Sequence, residues 1–395
     1  MARALRTQRD WPVSERARPL AVRRAVLTDF RSYARAVIET DARPVVLTGP
    51  NAAGKTNLLE ALSFLSPGRG LRGARLAEVD RAGAGPFAVA ARVEGANGPV
   101  ELGTGRDQAE RERRVVRVDG ADAPNQSTLA EHMSVVWLTP AMDRLFQDGP
   151  GERRRFLDRL VMAGDPAHPR QAARYAHFQR ERARLLRAGR FEPAWLGSLE
   201  RRAAEAGVAI AAARRQAVAA LVGALAEDQG RFPRPGLQVA GDVEDWLDAA
   251  PAVEGEERVA AALADSRARD AETGTTAVGP HRSDLLVSEV ASGRPARDCS
   301  TGQQKALLIS IVLAEARVRA AAGGWLPVLL LDEVAAHLDR ERRGDLFAEI
   351  TTLGAQAWLT GTDAATFAPL GERAQFFTVR ASTLQAHDPT RFSHS

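Results

Sequence analysis

The residues Gly49-Pro50-Asn51-Ala52-Ala53-Gly54-Lys55-Thr56 fit the pattern G-x-x-x-x-G-K-[ST]. In such a loop, backbone N–H groups close around phosphate oxygens, the Lys reaches the β- and γ-phosphates, and the Thr hydroxyl ligates Mg²⁺. All eight residues are candidate nucleotide contacts, Lys55 and Thr56 foremost. With 33 Gly and only two Lys in 395 positions, a chance match is expected on the order of one time in a thousand. The alternative is a glycine turn that merely caps a helix. A second candidate is Asp332-Glu333, two adjacent carboxylates closing the apolar run Val328-Leu329-Leu330-Leu331. Asp332 is expected to hold Mg²⁺ through water and Glu333 to polarise an attacking water. A third is Ser300-Thr301-Gly302-Gln303-Gln304-Lys305, small and polar groups that open a helix and suit an anion. For Ser300 and Thr301 a plain helix N-cap accounts for the pattern equally well.

These groups need particular elements to position them. Arg43 to Thr48 reads as a short strand, and Leu58 to Leu65 follows helical spacing, so residues 43–66 form strand, glycine loop and helix. Four apolar residues before Asp332 suit a strand buried on both faces of a parallel sheet, where ligands bind beyond the carboxyl ends. Thr301 to Ala321 reads as a long helix stopped at Gly323-Gly324, and Leu326 to Leu331 as one apolar strand. Val22 to Leu27, Ser134 to Leu138 and Ala357 to Thr360 are further strands, and Leu338 to Leu353 a helix. Residues 86–119 alternate apolar and polar around glycines, an antiparallel meander. Residues 151–226 form long helices broken near Asp165-Pro166 and 190–193. Residues 252–270 are helical, and β character returns at Thr276 and Leu285 to Val287.

Composition narrows the class. Hydrophobic residues make up 45% and charged residues 26%, enough for a large core. No stretch offers 18 uninterrupted apolar residues, so no membrane-spanning helix or membrane partner is expected. The first 20 residues lack the apolar core of a secretory signal. Cys299 is the only cysteine, which excludes an intrachain disulfide and fits a reducing cytoplasm. Net charge is +4, unevenly spread. Residues 1–35 hold nine Arg against Asp10, Glu15 and Asp29, and residues 151–202 hold thirteen Arg against six acids. Residues 203–275 hold seven Arg against thirteen acids. This asymmetry suggests a face for a polyanion, or else two solvated helix faces. All but two of the 54 basic residues are Arg. The exceptions, Lys55 and Lys305, both lie in the motifs above.

The order phosphate loop, Ser-x-Gly-Gln helix, Leu-Leu-Leu-Asp-Glu resembles an ABC-type ATPase head, and the wide spacing of loop and carboxylates is similar to the SMC group. In detail the chain resembles the RecF family of bacterial recombination mediators. Phe30-Arg31-Ser32-Tyr33, Gly49 to Leu59, Gly68 to Arg72, Gly149-Pro150 with Arg153 to Asp158, Gly279-Pro280-His281-Arg282, Ser300 to Lys305 and Leu329 to Asp339 carry the resemblance. It implies an α/β P-loop NTPase head with a mixed sheet, built from residues 1–140 and 275–395 and interrupted by a helical lobe at 141–274. It also implies ATP and Mg²⁺ as cofactors, with Ser300, Gly302, Gln303 and Asp339 completing the nucleotide site of a second head. ATP-dependent homodimerisation, binding of duplex and single-strand/duplex junction DNA, weak DNA-stimulated turnover and partnership with RecO and RecR in loading RecA follow from the same resemblance. Arg69 and Arg72, just after the first helix of the head, are the candidate DNA contacts.

The chain departs from the family pattern in four places. The first 20 residues have no counterpart. His337 is unusual in Ala335-Ala336-His337-Leu338-Asp339. No Gln marks the Q-loop, Val136 and Gln147 being weak candidates. Thr360-Gly361-Thr362 stands where many relatives carry a switch histidine. His281-Arg282 in its Gly-Pro turn suits a structural role as well as a catalytic one. Arg153 to Arg155 run against the helix dipole and suit either phosphate or ion pairs with the acidic 242–272 segment. A nucleotide-gated clamp without useful turnover, or a transporter ATPase subunit, are the alternative functions.

Overall fold

The computed structural model describes residues 18–387 apart from 96–97, 111, 166, 190–191 and 229. The Arg-rich arm before Arg18 and the break at Pro166 lie outside the described residues.

The central sheet has six strands in the order Thr383–His387, Gln375–Arg380, Val45–Thr48, Ala357–Gly361, Val328–Leu331, Val135–Leu138. All neighbours are parallel except the first pair. Its middle strands are continuous apolar runs because both faces are covered. Val45, Leu47, Val328, Leu330 and Trp358 point to one core, while Val46, Leu329, Leu331 and Leu359 point to the other. The first core is closed by a second sheet of six antiparallel strands, from Tyr33–Glu39 and Ala21–Phe30 through Ala88–Gly95, Gly98–Arg106 and Arg114–Val118 to Ala121–Asp122. Against the second core packs helix Thr301–Gly323, buried on every side from Gln304 to Ala316. The mixed sheet is therefore joined by a separate antiparallel layer.

Leu326 to Leu331 is not one strand. Pro327 carries no N–H for a ladder, and Trp325–Leu326 pairs instead with Arg18–Pro19, leaving Val328–Leu331 to the central sheet. The helix expected from Leu338 begins at Arg340, because Asp339 is its N-cap. Thr276 is in no strand. Strand Asp284–Glu289 pairs antiparallel with Pro235–Ala240, so a strand ladder crosses the expected boundary at 274/275.

The intervening lobe is built on helices Pro150–Gly164, His168–Arg187, Pro193–Glu227 and Ala252–Asp265. Pro193–Glu227 has length and hydropathy enough to cross a membrane. Here it is a core helix, carrying the buried Glu200 and Arg214 and packing against its neighbours through Ala203, Val208 and Ala211.

Candidate nucleotide site

The phosphate loop has little freedom in sequence. Gly49 has φ 149°, and a side chain there would collide with the Val379 carbonyl. Gly54 has φ 113°, and a Cβ would lie 2.8 Å from the Tyr33 hydroxyl, which donates to the Gly54 carbonyl at 3.1 Å. Both conformations belong to glycine. Ala52 accepts a left-handed φ of 62°. Pro50, Asn51 and Ala52 are exposed along the loop's outer edge, while Ala53, Gly54 and Lys55 are buried. Helix Lys55–Ser63 begins at Gly54, so its unpaired N–H groups face the loop. Lys55 Nζ donates to the Gly49 and Pro50 carbonyls at 2.7 and 3.0 Å, which aims the ammonium into the loop. Burial pushes its pKa below the ordinary lysine value, against the opposing pull of Glu333 and Asp332.

Strand order brings the second motif to the first. Val45–Thr48 and Val328–Leu331 both flank Ala357–Gly361, with Leu47 opposite Thr360 and Leu331 opposite Leu359. Phosphate loop and carboxylates thus leave the same sheet edge one strand apart. Thr56 Oγ1 lies 3.0 Å from both oxygens of Asp332. A hydroxyl beside a buried carboxylate is the hard-oxygen donor set that Mg²⁺ takes with phosphate, so these residues fit the metal. Glu333 is half-buried in a left-handed conformation, φ 51°, with Oε1 3.9 Å from Lys55 Nζ.

Thr360 contributes in a way its sequence position did not suggest. Wholly buried, its hydroxyl donates to Asp332 Oδ1 at 2.7 Å and accepts from the Glu333 N–H at 2.8 Å. It orients both carboxylate residues and is not available to water or phosphate. Only strand adjacency reveals it. Val136 is buried inside its strand and Gln147 is exposed; from that segment it is Asp143 that approaches the site, through Lys305.

Ser300 is an N-cap, as half of the sequence reading had it. Its Oγ accepts from the Gln303 N–H at 3.3 Å, while Gln303 Oε1 accepts from the Ser300 N–H at 3.0 Å. This capping box fixes the exposed start of the helix. Gly302 lies under Arg342, whose guanidinium would sit 2.9 Å from a Cβ there. Asp339 Oδ1 caps the next helix through the Arg342 N–H at 2.8 Å. Ser300, Gly302, Gln303 and Asp339 thus cluster with one another, and no hydrogen bond or ion pair among the described residues joins them to the phosphate loop of the same chain.

The basic candidates divide. Arg69 is exposed and has no polar partner among the described residues. Arg72 donates to Asn57 Oδ1 at 2.9 Å and to the fully buried Glu60 at 2.7 Å, where Arg31 also binds both carboxylate oxygens. Arg72 is therefore a partly neutralised cation. Arg114, from the antiparallel sheet, donates to the Phe64, Ser66 and Gly68 carbonyls and so fixes the Arg69 loop. Burial lowers its pKa to about 10. Arg153 makes a bidentate pair with Asp284 at 2.8 Å, Arg154 donates to the Ser283 carbonyl and Arg155 pairs with Glu152. None of the three meets the acidic 242–272 segment. His281 bonds the Tyr175 hydroxyl at 2.7 Å and the Thr276 carbonyl at 3.0 Å, and burial lowers its pKa; it holds the turn.

Comparison with known proteins agrees with this geometry. Residues 21–383 match the family described as RecF/RecN/SMC N terminal domain. The chain is 49% identical over 362 residues to the DNA replication and repair protein RecF of Rhizobium rhizogenes, covering 91% of this chain and 96% of that one. It is 50% identical over 361 residues to that of Rhizobium meliloti, covering 90% and 96%. Among solved structures, the recombination mediator protein RecF with ATPγS superposes with a TM-score of 0.80 at 22% identity, over 94% of this chain and 99% of that one. The Smc head domain of Pyrococcus furiosus gives 0.53 at 15% identity, over 93% and 96%. Both structural likenesses carry the ATPase-head fold.

Proposed function

This chain belongs to the RecF family of DNA replication and repair proteins, and from that premise we propose that it is an ATP-gated DNA-binding protein of recombinational repair. The observation that carries the reading is the pairing of Thr56 with Asp332 beside a Lys55 already aimed into its loop. Lys55 and the loop N–H groups would hold the β- and γ-phosphates, and Thr56 and Asp332 would hold Mg²⁺. Bound Mg²⁺ supplies charge neutralisation between the phosphates. Glu333, kept in place by Thr360, would orient the attacking water. No imidazole stands at the Thr360 position, which supports slow turnover.

The separation of Ser300, Gly302, Gln303 and Asp339 from the loop of their own chain supports a shared site, completed by a second copy. ATP would then act as glue for a homodimer that grips duplex or junction DNA through backbone phosphates, in partnership with RecO and RecR to load RecA. Arg69, free and exposed on a loop fixed by Arg114, is the first DNA contact; Arg72, paired with Glu60, is a weaker one.

Sedimentation of the whole chain with ATP, Mg²⁺ and gapped duplex tests this. The unmodified chain should dimerise only with ATP, while Ser300→Arg should bind ATP as a monomer. Equal dimer fractions in the two proteins would refute the shared site. For DNA, Arg69→Ala should flatten the slope of log affinity against log salt by about 0.9 on duplex, the value for one phosphate contact, and Arg72→Ala by less. Loss of turnover in Glu333→Gln distinguishes an ATPase from a passive clamp.

A further inference from the structure

The two lysines of this chain converge on one residue. Lys55 Nζ lies 3.9 Å from Glu333 Oε1, and Lys305 Nζ donates to the Glu333 carbonyl at 3.3 Å. The second acceptor of Lys305 is Asp143 Oδ2 at 3.1 Å. Lys305 is only 4% exposed. A compact ammonium reaches both acceptors in that space, whereas the wide planar fork of Arg is built for paired parallel bonds. In a chain whose other cations are all Arg, the two exceptions sit where a point charge is needed.

The three residues come from three different elements. Glu333 follows the carboxylate strand. Asp143 follows Val135–Leu138, which is paired with that strand. Lys305 lies in the first turns of helix Thr301–Gly323, whose N-cap is Ser300. Because Lys305 lies in the helix that Ser300 caps and the capping box ties Ser300 to Gln303, a shift of the helix start at Lys305 carries residues 300–305, the signature segment, with it. Two features set this corner apart from the packed core. Glu333 occupies a left-handed backbone conformation, φ 51°, that is uncommon outside glycine. Asp143 Oδ1 is buried with no hydrogen-bond partner, an unfavourable state for a carboxylate oxygen.

We infer that Lys305 and Asp143 form a positioning relay: the state of Glu333 in one head sets the placement of the signature segment that serves the nucleotide of the other head. This rests on the shared-site reading above. It makes the two ATP sites of a dimer interdependent, because each head presents its signature segment correctly only when its own Glu333 is engaged. Lys305 itself touches neither nucleotide.

Lys305→Met tests the relay, and Lys305→Met with Asp143→Asn removes the pair without stranding a half-buried carboxylate. ATP titrations of the whole chain, followed by sedimentation, should show the Hill coefficient for dimerisation dropping from near two toward one. The ATP concentration needed for dimerisation should rise by about tenfold, a usual size for coupling between sites. Calorimetry on dilute, monomeric protein should show unchanged ATP affinity, which a merely structural loss would reduce together with the melting temperature. A second measurement leaves Lys305 intact. Hydrogen exchange of the dilute unmodified chain should change at residues 301–305 when ATP fills its own site. If the unmodified chain dimerises with ATP, and both variants do so with the same cooperativity and concentration dependence, the relay is overturned; unchanged exchange at 301–305 overturns it equally. If the unmodified chain never dimerises with ATP, the shared-site reading falls first and takes the relay with it.

Discussion

The lobe and the nucleotide site each bury a cluster of charges, and the two clusters are finished to different degrees. In the lobe, Arg182 is 1% exposed and donates to Glu200 at 3.0 Å, to Asp270 at 2.7 Å and to the Leu263 carbonyl at 2.6 Å. Arg267 covers the rest of Glu200, while Ser266 and the Ala277 N–H satisfy Asp270. In the nucleotide site, Lys55 leans on backbone carbonyls, Glu333 stands 3.9 Å away in a left-handed conformation, and Asp143 keeps an unpaired oxygen. A cluster whose partners are all supplied by the protein holds helices together. A cluster whose loop ammonium rests on backbone carbonyls, with the Glu333 carboxylate held 3.9 Å away, is prepared for a ligand that brings its own charge.

The largest expected effect breaks the finished cluster. Arg182→Ala leaves Asp270 buried without its cation and Glu200 with Arg267 alone, so unfolding free energy should fall by about 3–5 kcal/mol. Urea titration measures it, and a loss below about 1 kcal/mol would make the lobe cluster no more structural than a surface pair.

Lys55→Ala should do the opposite. Nucleotide affinity by calorimetry should drop by about a hundredfold or more, ~2.8 kcal/mol at 1.4 per decade. Stability without nucleotide should move little, because the cost of burying the ammonium offsets its bonds to the loop. An intact affinity would show that this loop does not hold the nucleotide's phosphates.

Thr360→Val sharpens the contrast within the site. It strips one donor from Asp332 and the acceptor from the Glu333 N–H, for about 1–3 kcal/mol of stability. Turnover should fall more than ATP affinity does. Equal losses in the two would mean that Thr360 merely fills space.

The smallest effect is in pH. Burial holds the folded Lys55 pKa below its ordinary 10.5. Between that lowered value and 10.5 the unfolded chain binds more protons, so the stability of the nucleotide-free protein gains a small upward contribution as pH rises through this window. Lys55→Met should remove that contribution, and matched denaturation series across the alkaline range would reveal its absence.

What the sequence determined by itself is local. The eight residues from Gly49 to Thr56 specify loop, lysine and hydroxyl by spacing alone, and four apolar residues before Asp332 specify a strand covered on both faces, since side-chain periodicity and glycine conformations depend on near neighbours. The helix cap at Ser300 and the helical lobe are local for the same reason. Tertiary structure decided whatever depends on which strands lie side by side. Thr360 became a carboxylate anchor because Ala357–Gly361 runs between the two motif strands. Arg72 is partly neutralised by Glu60, twelve residues before it, which it shares with Arg31, and Lys305 met Asp143 across 162 positions. Pro235–Ala240 took its partner from beyond the expected end of the lobe. Strand order and long-range ion pairs are fixed by the packing of whole layers, and no window of adjacent residues contains that information.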